Sequence, residues 1–166
     1  MSQSRILLAI STSRYSKHLL DLAITEAERL QADGDQVDID VLYVQEEEDL
    51  ARVGAKVGDQ GFLGLTTTKE LLETLVAEHH RMAMRRVDEI RAAAQERSLG
   101  VQFHEVKGRF VEEVLKQAER TGYTTILITR ADRPFISRIL FGSEADRVAR
   151  MARKEGLGHV IIDEET

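Results

Sequence analysis

The sequence predicts an α/β protein built on a doubly wound, five-stranded parallel sheet with helices on both faces. Three observations lead there. Five short apolar runs alternate with helical patterns, the first and fourth runs are continuously apolar, and the 166 residues are 42% hydrophobic and 31% charged with no cysteine. Strict β-α alternation implies parallel strands joined by right-handed crossovers. Strands covered on both faces read as unbroken apolar runs. A chain of this length buries roughly 70% of its unfolded surface. One domain over 1–166 is therefore expected, needing no disulfide.

The elements follow in order. "RILLAIS" (5–11) is the first strand, and residues 15–31 set Leu19, Leu20, Ala23, Ala27 and Leu30 on one helical face. Ser13 or Ser16 is the expected cap of that helix. "VDIDVLYV" (37–44) is the second strand. Residues 45–67 show no periodicity and carry Gly54, Gly58, Gly61 and Gly64, which predicts a flexible insertion. It leaves the carboxyl end of the second strand, so a mobile loop over 47–65 beside the binding crevice is expected, with Phe62 closing over it as a lid. A helix over 68–98 opens on the capping box formed by Thr67 and Glu70. "VQFHEV" (101–106) alternates, as an edge strand does. A helix over 110–120 runs through Val111, Val114, Leu115 and Ala118, and "TTILIT" (124–129) follows. The last helix (143–154) uses Ala145, Val148, Ala149 and Ala152, and "GHVIID" (158–163) ends the sheet. In the strand order 3-2-1-4-5 the binding crevice opens between the carboxyl ends of strands one and four. "ISTSRYS" and "TRADRPFISRILFGS" then flank it.

Charge narrows the partners. A formal net charge of −6 argues against general nucleic-acid binding, which depends on Lys and Arg displacing counterions. No apolar run approaches the roughly 18 residues of a membrane span. "MSQSRILLAI" runs straight into a strand without a signal-peptide pattern, so a cytoplasmic location is expected. The charge is unevenly spread, with seven basic residues and three acidic ones between Arg130 and Lys154. This is either a solvated helix face or a local anion site.

Evidence of catalysis is absent. His79 and His80 diverge by about 100° on a helix and cannot chelate together, so both are expected at the surface. Ser11, Thr12 and Ser13 follow the first strand, but no histidine lies near them in sequence to activate a hydroxyl. Neither a P-loop nor a dinucleotide fingerprint is present. Met82 and Met84 read as adaptable packing or a dimer contact. No metal ligands and no catalytic residues are assigned.

The last third, "ILITRADRPFISRILFGSEADRVARMARKEGLGHVIID", with the Ser/Thr-rich turn after strand one and Gly108 in "VKGRF", resembles the universal stress protein family over nearly the whole chain. The resemblance implies an adenine-nucleotide alpha-hydrolase-like fold. In nucleotide-binding members this region reads glycine, two residues, glycine, nine residues, glycine, then Ser or Thr. Here Gly142-Ser143 is retained, whereas Thr129 and Asp132 stand at the first two glycine positions. ATP-binding relatives usually carry an aspartate where this chain has Ser11. The degenerate candidate site is Ser11, Thr12, Ser13, Val44, Ile128, Thr129, Arg130, Asp132, Gly142, Ser143 and Glu144. A helix beginning at Gly142-Ser143 offers free amides to an anion. Glu144 and Asp132, however, are anions themselves and are expected to fill that role. Two unit charges about 5 Å apart repel by roughly 3 kcal/mol at an effective dielectric near 20.

Two readings result. The first is a dimeric, non-enzymatic stress-response module without a cofactor, acting through unidentified protein partners. The alternative is an ATP- or AMP-binding sensor or weak ATPase using the Gly142-Ser143 helix start, with Arg130 or Arg133 on a phosphate. Another small α/β regulatory module is a third class. The resemblance also implies a homodimer paired antiparallel through the last strand, where Val160, Ile161 and Ile162 form an apolar edge.

Overall fold

The structure, a computed structural model, describes residues 2–46, 65–130 and 144–164. The elements are β1 (Gln3–Ile10), α1 (Lys17–Ala32), β2 (Gln36–Glu46), α2 (Leu65–Gln95), β3 (Gly100–Gly108), α3 (Phe110–Thr121), β4 (Thr125–Thr129), α4 (Glu144–Glu155) and β5 (His159–Asp163). The strands form one sheet, parallel as the alternation predicts, in the expected order β3-β2-β1-β4-β5. Most of the predicted insertion, with the proposed lid residue Phe62, lies outside the described residues. So do Asp132, Arg133, Gly142 and Ser143.

The two-residue period of a strand divides the core in two. Ile6, Leu8 and Ile10 of β1 face α1 and α2 together with Ile39, Val41 and Tyr43. Leu7 and Ala9 face α3 and α4 together with Leu42, Val44, Ile126 and Ile128. Both sets are fully buried, which explains why β1 and β4 show no polar alternation. Burying each such side chain stabilises the fold by about 1.5–3 kcal/mol. At the β3 edge Phe103 is only half-buried and Gln102 exposed, matching its alternating sequence.

Ser16 caps α1, its hydroxyl accepting from Leu19 N at 2.9 Å. One boundary differs from expectation. α2 starts at Leu65, so Thr67 lies inside the helix and cannot serve as its N-cap. The capping-box pattern is short and recurs by chance within a helix. Gly156, with φ +66, follows the last residue of α4, and Leu157 N closes onto Ala152 O at 2.9 Å. Gly158 then brings the chain into β5 where a Cβ would stand 2.6 Å from Tyr123 O, so only glycine fits.

Candidate functional site

The turn after β1 supplies the central group. Ser11 and Arg14 hold each other by backbone hydrogen bonds of 3.4 and 3.3 Å. Arg86 of α2 donates to the carbonyls of Ser11 (2.6 Å) and Thr12 (3.2 Å). This directs the Arg14 side chain across the carboxyl end of the sheet, where it is 1% exposed. Its Nε donates to Glu46 Oε1 at the end of β2 (3.2 Å), and its Nη2 donates to Glu144 Oε2 at the first residue of α4 (2.5 Å). The guanidinium lies 4.4 Å from the centroid of Phe110 at the start of α3. Ser11 and Ser13 hydroxyls donate to the same Glu46 carboxylate at 2.7 and 3.2 Å.

Burying a lone cation costs several kcal/mol, so this arginine is tolerable only because two carboxylates and an aromatic face surround it. Glu46 is tied on both oxygens and is 8% exposed. Glu144, expected at the helix start, pairs with Arg14, so among the described residues this guanidinium meets two carboxylates. Beside them is a cavity of about 310 Å³, floored by Glu46, Glu144 and Phe110 and rimmed by Arg109, Glu112 and Arg147.

The remaining candidates divide clearly. Val44 and Ile128 are fully buried in the core under α3 and α4. Thr129 is buried and its hydroxyl reaches Asp163, with 3.3 Å to either the carbonyl or a carboxylate oxygen. Arg130 forms a bidentate pair with Asp146 (2.8 and 2.9 Å) and also reaches Glu164 (3.1 Å). The Asp146 hydrogen bonds, foremost, hold its guanidinium above its ordinary pKa. Thr12 shares a 2.7 Å hydrogen bond with Tyr43 and lies 3.4 Å from His79 Nδ1. The fold thus brings to Thr12 a histidine that the sequence placed 67 residues away. At that distance it orients the hydroxyl weakly, and Tyr43 is the closer partner. His80 is exposed, as expected, and bonds Glu105.

Two features were missed by sequence reasoning, Arg14 and Glu46. The signal for them was faint: one arginine among the hydroxyls of "STSRYS", and an acid ending an otherwise apolar strand. Among the described residues no group of His, Asp and Glu is arranged to hold a metal, and no helix is long and apolar enough to cross a membrane.

The universal stress protein family model matches residues 3–155. The chain belongs to the universal stress protein family. Solved structures show the same fold at low identity. The hypothetical protein MJ0577 is 17% identical over 100% of this chain and 99% of its own, with a TM-score of 0.67. The universal stress protein UspA from Lactobacillus plantarum is 16% identical, with 99% of each chain covered and a TM-score of 0.62. A universal stress protein solved in complex with cAMP is 12% identical, with 100% of both chains covered and a TM-score of 0.58. A search of curated proteins gives no match.

Proposed function

We propose that this universal stress protein is a cytoplasmic, dimeric, non-enzymatic stress-response module whose nucleotide crevice is occupied by its own side chains. The observation that carries the reading is Arg14, buried at the carboxyl end of β1 between Glu46 and Glu144. A nucleotide entering there has to displace an ion pair and then bring phosphates against the two carboxylates released. The sequence removes further support, with Thr129 and Asp132 in place of glycines that let backbone approach phosphate. Dimerisation through β5 is supported by its edge position and its half-buried Val160, Ile161 and Ile162.

The alternative, a nucleotide sensor or weak ATPase, is supported by the cavity beside Arg109 and Arg147 and by the relative solved with cAMP. One experiment separates the two. ATP with magnesium, AMP and cAMP are titrated calorimetrically into the full chain, and its melting is followed with each ligand. A ligand at 100 times its dissociation constant adds about 2.7 kcal/mol of stability. No heat and no shift are expected at micromolar to submillimolar ligand. Micromolar binding of any of the three overturns the reading in favour of the sensor.

A further inference from the structure

Arg147, Arg150 and Lys154 stand at i, i+3 and i+7 on the outer face of α4, with Arg153 beside them, and all four are exposed. The opposite face, through Ala145, Val148 and Ala152, is buried. None of the four cations has an ion-pair partner among the described residues, although the chain as a whole carries −6. Packing does not explain them.

At 1.5 Å per residue the strip is about 10 Å long, and it is one helix wide. Carboxylates border it on both sides. Asp146 and Glu164, gathered by Arg130, lie along one flank. On the other, Glu155 meets Glu119 of α3, and its hydrogen bond and charge push the Glu119 carboxyl above the usual glutamate range.

We propose that this strip docks an acidic helical segment of a partner protein, with carboxylates at i, i+3 or i+4, and i+7. A helix about 10–12 Å across lies along it with the same rise per residue, so its carboxylates meet the three cations in register. Basic or neutral flanks on that segment match the acidic borders, which repel a partner that is anionic all over. A nucleic-acid duplex or an anionic bilayer is broader than the strip and presses its phosphates onto Asp146 and Glu155. A bilayer also lacks an apolar anchor here. Among the described residues the exposed large hydrophobic is Val76, on α2, which packs on the other face of the sheet. Arg147 also rims the cavity beside Glu144, so a nucleotide held there would compete for the first position of the strip, while Arg150 and Lys154 stay clear of it.

The test is fluorescence anisotropy with the full chain and a labelled alanine-based helical peptide carrying glutamates at i, i+3 and i+7 and lysines on its flanks. A scrambled peptide of the same composition, a short DNA duplex and phosphatidylserine vesicles are compared at physiological salt. The registered peptide is expected to bind at least tenfold tighter than the scrambled one. Binding is expected to weaken as salt rises and to disappear in Arg147→Gln/Arg150→Gln/Lys154→Gln, neutral replacements at exposed positions that add no like-charge pairs, with the melting temperature recorded as a control for folding. Equal binding of both peptides, undiminished binding by the triple variant, or tighter binding of the duplex or vesicles overturns the proposal.

Discussion

Arg14 and Glu144 are 130 positions apart in the chain, yet Arg14 Nη2 lies 2.5 Å from Glu144 Oε2. With Glu46 on the other side of the guanidinium, this contact joins the ends of β1 and β2 to the start of α4.

Replacing Arg14 by Ala leaves the buried Glu46 carboxylate without its cation and removes the Arg14 contact of the partly exposed Glu144. Breaking a buried pair by removing one partner costs about 3–5 kcal/mol, and the lower end applies because Glu144 keeps some solvent contact. Urea denaturation at neutral pH measures it. A loss below about 1 kcal/mol, the range of exposed pairs, would mean that the network is solvated rather than buried.

Tyr123→Phe tests a second buried contact. The Tyr123 hydroxyl donates to Asp40 Oδ2 at 2.8 Å, while Asp40 Oδ1 has no partner among the described residues. Removing the hydroxyl leaves the whole carboxylate unsatisfied under α3. A destabilisation of about 1–3 kcal/mol is expected in thermal or chemical unfolding. Gln117, which donates to the same hydroxyl at 3.0 Å, keeps only its longer contact of 3.5 Å with Thr121 Oγ1. An unchanged melting temperature contradicts the assignment.

Glu26 gives an acid-side pH dependence. Hydrogen bonds from Arg29, and then from Thr125, lower its carboxyl below the ordinary glutamate value against the opposing effect of burial. A folded-state value below the unfolded one means that its stabilisation is complete above the unfolded value. It is then lost as pH falls through the folded one. Stability of the wild type is expected to decline over that acidic window more steeply than that of Glu26→Gln. Parallel stability–pH curves for the two proteins would exclude this contribution.

The β5 edge is tested by sedimentation. At micromolar concentration the wild type is expected to run as a dimer. Ile161→Pro, which removes a backbone donor in the strand, is expected to shift the population toward monomer. A monomeric mass for the wild type would remove β5 pairing from the proposed function.

The sequence by itself determined the alternation of strands and helices, the two helix layers and the polar-faced edge at β3. These follow from spacings of two to four residues, as in Ile6, Leu8 and Ile10 or Val111, Val114 and Leu115, where each side chain's environment is set by near neighbours. The sequence also carried the family. What it did not carry was how the charges at the carboxyl ends of the strands pair. Arg14 with Glu46 and Glu144, Thr12 with His79, and His18 with Asp163 join residues 32 to 145 positions apart. No periodicity records such contacts. Only the packed sheet, by bringing the turn after β1 beside the end of β2 and the start of α4, decided that Glu144 serves an internal arginine. Desolvation makes that pairing obligatory once Arg14 is buried.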